Sequence, residues 1–242
     1  MSINILKTNI FLNYKIIAGT TLINKQLYPP NGFSISKAEI YNDNDIHTMR
    51  QDFADFLNCK YEDLAFQTQL HSDIITIVDN SYSCAQSDAI ITNIRGKILV
   101  ASIADCGGIL LYDPINGVVA AVHSGWRGSY QNIVGKTIAA LANKFMTEPK
   151  NLLAYLAPSA SVENYEIGGE LLEMLGNYSI KRNEKIYFDN KKMITQQLLN
   201  AGVQAQNIEI SNICTISDAN YHSFRRDKKK SGRMATFIGM LE

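Results

Sequence analysis

The sequence predicts an α+β fold with mixed strands and helices in one domain. Three observations carry that prediction. Apolar residues recur at helical spacing over residues 44–58 and 129–145, and as short strand-length runs over 74–78, 89–92, 98–103 and 118–122. Helices and strands follow one another without a regular βαβ rhythm. The 242 residues are 46% hydrophobic and 19% charged, enough for a sizeable core, and no Pro- or Gly-rich linker divides them.

The N-terminal stretch MSINILKTNIFLNYKIIAG has Asn4, Lys7, Asn9 and Asn13 inside its apolar runs, so it does not read as a secretory signal. No run approaches the roughly 20 apolar residues of a membrane span. A cytoplasmic protein with reduced thiols is expected, because Cys59, Cys84, Cys106 and Cys214 are widely spaced and form no CxxC pair. In the segment 44–58, Ile46, Met49, Phe53, Phe56 and Leu57 fall on one helical face, and Asn42, Asp43 or Asn44 can cap it. The DPING segment, residues 113–117, places Pro and Asn-Gly between two apolar runs and predicts a hairpin. A helix is predicted from Ser129, with Ile133, Val134, Thr137, Ile138, Leu141 and Phe145 as its buried stripe and Pro149 beyond its end. Shorter helices are expected at 169–175 and at 190–201, the latter stopped by Gly202, and strands at 208–211 and 235–238.

The charge balance is 23 Lys+Arg against 23 Asp+Glu, a formal net charge of zero. That removes any global attraction to nucleic acid or to an anionic membrane. Four histidines limit metal chemistry to one or two centres.

Two residues stand at strand ends beside the predicted hairpin: Cys106 in ADCGG and His123 in HSGWRG. With the turn centred on Ile115 they fall almost opposite one another, where Cβ atoms lie about 5 Å apart, unless Gly107 and Gly108 bulge the strand. A thiolate and an imidazole so placed can share a metal ion, or one can deprotonate the other. His71, in QTQLHSD before a strand, supplies a third ligand of suitable type. Two His and one Cys leave a tetrahedral ion one open position, the catalytic arrangement. Taken singly, each of these residues also fits a structural role, and His47 and His222 are read as structural. Gly125, Gly128 and Ser129 at the predicted helix start, with Arg127, suggest an anion site; a tight turn with Trp126 in the core is the alternative. The stretch RRDKKKSGR, residues 225–233, is basic. It reads either as a solvated loop or as a source of Arg225 and Arg226 for a phosphate pocket. With zero net charge, the pocket ranks above a nucleic-acid surface.

Taken in order, QxxxH-S, DAIITN, ADC-x-x-ILLYDP, GVVAAVHSGWRG, AP-x-x-S-x-x-x-YE-x-G and YHSFRRD…SGRMA resemble the laccase-domain proteins, once called polyphenol oxidases and more recently assigned as purine nucleoside phosphorylases with adenosine deaminase activity. The likeness covers about residues 66–239. It implies a layered α/β/β/α fold and a zinc site made by His71, Cys106 and His123, which also serve as the catalytic residues. The motif-bearing core is 61–242 of a single domain spanning 1–242. Residues 1–60 diverge, since TTLINKQLYPPNGFSIS stands where the family has a Gly-rich segment. Gly108, Ser124 and Ala157 also depart from the usual Pro, Ala and Gly. Arg50 sits where the family has an Asn-Arg pair and is a substrate-side candidate.

The expected activity is therefore phosphorolysis of adenosine- or inosine-type nucleosides, with small-molecule nucleoside and phosphate as partners and adenosine deamination as a second activity. Glu166 and Asp105 are candidates for proton transfer in deamination. A copper-dependent phenol oxidase, with Cu2+ in place of Zn2+, is the alternative metal chemistry; four His without an HxH pair are too few for a multicopper cluster. A Cys106–His123 hydrolase acting on cell-wall peptide precursors is a third reading, and a non-catalytic protein that keeps the site as structure is a fourth. The oligomeric state is not legible.

Overall fold

The computed structural model describes residues 3–82 and 84–242; residues 1 and 2 of the N-terminal stretch lie outside the described residues. In chain order the first elements are β1 (Ile5–Lys7), β2 (Ile16–Thr21), α1 (Asp43–Phe56), β3 (Leu64–Thr68), β4 (Ile75–Ile77), β5 (Cys84–Gln86), β6 (Ala89–Thr92) and β7 (Ile98–Ile103). The central hairpin β8 (Gly107–Asp113) and β9 (Val118–Ser124) leads into α2 (Trp126–Tyr130), α3 (Ile133–Phe145) and β10 (Leu153–Leu156). Then come β11 (Glu166–Ile167), α4 (Leu172–Leu175), β12 (Ser179–Arg182), β13 (Lys185–Phe188), α5 (Asn190–Asn200), β14 (Ile208–Ile210), α6 (Phe224–Asp227) and β15 (Met234–Met240).

The strands form one sheet in the order β1-β2-β15-β7-β3-β5, a second in the order β14-β10-β8-β9-β6-β4, and a small one in the order β11-β13-β12. Alternation along each strand decides what lies between the large sheets. Leu99, Ala101, Ile103 and Ile238 of the first sheet meet Leu110, Val119, Ala121 and Tyr155 of the second. The opposite face of the first sheet, with Ile98, Val100 and Phe237, packs on Ile46, Met49 and Phe53 of α1. The opposite face of the second, with Ile109, Leu111, Ala120 and Val122, is covered by Ile133 and Ile138 of α3 and Ile194 and Leu198 of α5. Helix, sheet, sheet, helix is the layering that the resemblance implies. Because both faces are covered, β9 is buried at every position and reads as a continuous apolar run.

Asn42 caps α1: its side chain accepts from Asp45 N, and Asp45 returns the bond to Asn42 N. Phe56, predicted for the buried stripe, is exposed instead. The helix predicted from Ser129 is two helices. Asn132 adopts a left-handed φ of 59° between α2 and α3, a conformation that Asn tolerates and that ends one helix before the next begins. Within the predicted 169–175 helix, a 3-10 turn at Gly169–Leu171 precedes the short α4. The hairpin forms at DPING, where the Asp113 carboxylate accepts from Ile115 N and Asn116 N. Its register is continuous from Asp113↔Val118 to Gly107↔Ser124, so the two glycines do not bulge the strand.

The chain crosses from the first sheet to the second after β3, after β5 and after β7. β3 runs parallel to both β5 and β7, so all three crossings lie at one end of the sandwich. The N-terminal end of β8 faces the C-terminal end of β9 at that same end.

Candidate metal centre

Those crossings deliver the site. His71 lies between β3 and β4, Cys106 between β7 and β8, and His123 near the end of β9. Gly108, not Cys106, pairs with His123. Cys106 is therefore a diagonal neighbour on the same face as His123, not its direct opposite. Continued by two residues, the register sets Cys106 opposite Gly125. A Cβ at Gly125 would lie 2.9 Å from Cys106 Sγ and 3.0 Å from His71 Cδ2, so glycine is what admits the third side chain.

The ligand atoms of His71, Cys106 and His123 lie within 4.8 Å of one another. Cys106 Sγ is 3.9 Å from His71 Nε2, and the two imidazoles meet edge to face with centroids 4.8 Å apart. A tetrahedral ion with ordinary Zn–N and Zn–S bonds sets its ligand atoms roughly 3.3–3.7 Å apart, so the cluster needs only a small contraction to hold one. Its donor set, two imidazoles and one thiol, suits zinc and also copper. Burial raises the Cys106 thiol pKa, but the His123 and His71 imidazoles outweigh it and the net shift is downward. Burial likewise opposes protonation of His123, and the Cys106 thiolate and Asp88 carboxylate overcome it, raising its pKa. His123 Nδ1 lies 2.8 Å from Asp88 Oδ1. Asp88 stands in the DAIITN motif but was not anticipated as part of the site.

The three side chains open onto a cavity of about 340 Å³ whose wall includes Ser36, Gln69, Phe224 and Arg233. A larger hollow of about 680 Å³ runs along Asp55, Lys60 and Glu242 and contains none of this chemistry. Ser36, between β2 and α1, builds one side of the pocket; its Oγ is 2.8 Å from Ser102 Oγ. Arg233 closes another side, with its guanidinium carbon 5.4 Å from the Phe224 ring centroid. Burial pulls the Arg233 pKa down, while the charges of Cys106 and Asp105 work against that fall.

Neither the predicted anion-binding residues Arg127, Arg225 and Arg226 nor the substrate-side candidate Arg50 lines this cavity. Arg226 donates to the carbonyls of Thr215, Ile216, Asp218 and Tyr221 and pairs with Asp227, which makes it a loop clamp. Arg225 is exposed, 5.7 Å from the Tyr165 ring centroid, and its backbone N donates to Asp105 Oδ2. Arg127 lies over Trp126 on the exposed side of α2. Gly128 and Ser129 are inside that helix, and Ser129 N is already bonded to Gly125 O. Arg50 donates from Nε to Ile35 O and covers the Phe66 ring.

Of the two proton-transfer candidates, Glu166 is paired with Lys185 on the small sheet. Asp105 is buried, with its carboxylate accepting from Thr215 Oγ1, Ser223 Oγ and Arg225 N. Ser124, which replaces the usual Ala, enters a buried chain with Ser129 and Asn190 that ties β9 to α5. His47 stacks near Tyr61 and His222 Nε2 bonds to Phe33 O, both apart from the cluster. All four cysteines are free. Among the described residues, no helix is long and apolar enough to cross a membrane.

Comparison with known proteins agrees with this picture. A purine nucleoside phosphorylase of Clostridium acetobutylicum is 37% identical over 190 residues, covering 76% of this chain and 79% of that one. A purine nucleoside phosphorylase of Bacteroides thetaiotaomicron is 32% identical over 197 residues, covering 73% of each. The crystal structure of YlmD from Geobacillus stearothermophilus has the same fold, with a TM-score of 0.89 and 24% identity over 97% of this chain and 94% of that one. Residues 29–241 match the family described as multi-copper polyphenol oxidoreductase laccase, and the chain belongs to that family.

Proposed function

We propose that the protein is a zinc-dependent purine nucleoside phosphorylase that splits adenosine- or inosine-type nucleosides with phosphate into free base and ribose 1-phosphate, with adenosine deamination as a second activity. The observation that carries this reading is the His71, Cys106 and His123 cluster opening onto a small cavity walled by Phe224 and Arg233. The names of the relatives in Clostridium and Bacteroides support the reaction class.

At about 340 Å³, the cavity is at the small end of the ~300–1,000 Å³ range of ligand pockets. That volume favours a nucleoside over a peptide or a nucleic-acid strand. Phe224, 46% exposed, offers a ring face to a purine, for which stacking is tolerant of the base. Arg233 stands beside that ring, and its planar fork suits phosphate. In this reading Arg233 holds the attacking phosphate while Phe224 fixes the base, so the anomeric carbon is presented between them. Arg225 follows Phe224 in α6 but stands outside the cavity wall, over Tyr165; Arg127, Arg226 and Arg50 serve the scaffold. A divalent ion held by His71, Cys106 and His123 supplies Lewis-acid polarisation when bound. The copper oxidase reading ranks lower, because His47 and His222 are held elsewhere and one trio of ligands does not make a multicopper cluster.

Incubation of the purified protein with adenosine or inosine and phosphate, followed by separation of products, tests the proposal. Free base with ribose 1-phosphate supports phosphorolysis, and inosine from adenosine supports deamination. Sustained oxygen uptake with a phenol and stoichiometric copper favours the oxidase. Absence of nucleoside turnover by zinc-loaded protein overturns the reading.

A further inference from the structure

Asp88 stands at the seam between the sheets, just before β6, with no solvent exposure. Its Oδ2 accepts from Leu70 N at 3.1 Å, from Ser72 N at 2.7 Å and from Ser72 Oγ at 2.6 Å. Its Oδ1 accepts from His71 N at 3.1 Å and lies 2.8 Å from His123 Nδ1. Its carbonyl accepts from His123 N, and its amide donates to Ile74 O. One residue therefore holds both the backbone of the loop that carries His71 and the ring of His123.

Two physical consequences follow. Leu70, His71 and Ser72 aim successive amides at one carboxylate, with His71 at a left-handed φ of 58°. That concave run of donors requires an anionic acceptor at its centre, and without it His71 loses the reason for its conformation. An ionised carboxylate only accepts hydrogen bonds, so Nδ1 of His123 carries the proton that faces it. Nε2, the ring position free of the carboxylate, is then the nitrogen that gives up its proton to an incoming ion.

We propose that Asp88 is the positioning residue of the metal centre: it sets the ring plane and tautomer of His123 and the backbone of His71, so that two of the three ligands are oriented before an ion arrives. This assignment rests on the metal reading above. Asp88→Asn tests it, because the amide turns an N–H2 group toward donors and lets Nδ1 of His123 act as acceptor.

The full-length protein and Asp88→Asn are titrated with Co2+ while the thiolate-to-cobalt absorption is followed. The expected result is roughly 10–100-fold weaker Co2+ binding in the variant with an altered band, at unchanged far-ultraviolet circular dichroism. A residue that merely braced the fold would lower the melting temperature and leave the affinity and band of the folded fraction as they were; that outcome overturns the assignment alone. Absence of any thiolate band in the unsubstituted protein overturns the metal reading and the assignment with it. Should Asp88→Asn fail to fold, the unsubstituted protein labelled with 15N-histidine and loaded with 113Cd decides the matter. Cadmium coupling to Nε2 of His123 with Nδ1 protonated supports the assignment, and coupling through Nδ1 overturns it.

Discussion

His123 and His222 are enclosed to nearly the same degree, at 3% and 4% exposure, yet the structure gives them opposite affinities for a proton. Around His123 stand the Asp88 carboxylate and the Cys106 thiol, which raise its pKa against the cost of burial. Around His222 burial dominates: Nε2–H donates to Phe33 O, the Arg233 and Arg226 guanidinium charges are near, and the pKa is lowered to about 4. One ring is set among anionic groups that favour a positive charge on or beside it, and the other is a neutral strut. What separates them is not depth but the chemistry of the groups enclosed with them.

The largest expected effect breaks the first environment. Cys106→Ala removes the thiol, so metal analysis should find the ion at background and phosphorolysis should fall more than 100-fold, beyond the ~10–100-fold typical of outer-sphere changes. Gly125→Ala leaves every ligand in place but pushes a Cβ to 2.9 Å from Cys106 Sγ. Misplacement on that scale costs on the order of 100-fold in activity, and a Co2+ titration should show weaker binding with little change in melting temperature.

The second environment is tested by pH. The unfolded His222 ring takes up its proton near 6.5 and the folded one only near 4. Between those values the unfolded state binds more protons, so stability present above pH 6.5 is lost as pH falls toward 4, by about 3 kcal/mol in all. Urea unfolding across that range should show the slope in the unsubstituted protein and a flatter one in His222→Gln, which retains a donor for Phe33 O.

The smallest effect separates two arginines of the same basic stretch. Arg226→Ala should cost about 1–3 kcal/mol of stability, from the carbonyls it leaves unpaired, with KM for phosphate unchanged. Arg233→Ala should raise that KM more than its melting temperature falls. The reverse pattern would exchange their roles.

These contrasts also mark how far the sequence could be read. The hairpin was visible because DPING between unbroken apolar runs is a local signal, while the layered order and the trio His71, Cys106 and His123 were legible through the resemblance that the ADC and HSGWRG motifs carry. The pairing of Cys106 was two residues off, because the turn centre does not fix register until the bonds of Asp113 and Val118 are known. The break at Asn132 was hidden inside an apolar stripe that continues across it. Asp88 was visible as a motif residue but not as a partner, since His123 lies 35 residues away along the chain. The basic stretch 225–233 looked uniform; α6 turns Arg226 onto loop carbonyls and leaves Arg233, next to β15, to face the cavity.

The position of β15 bears on how the protein is made. It is the strand latest in the sequence, yet it lies between β2 and β7 in the middle of its sheet. Thr236 on it meets Thr20 across 216 residues. Until residues 234–240 have left the ribosome, the early strands β1 and β2 have no connection to β7, and pairing over such separations is slow. A stalled chain can already contain His71, Cys106 and His123, but it lacks Arg233 and the central strand that joins the sheet. Residues 234–240 must therefore be synthesised before the ligands, the pocket wall and the core exist together, which withholds the chemistry from copies that stop short of β15.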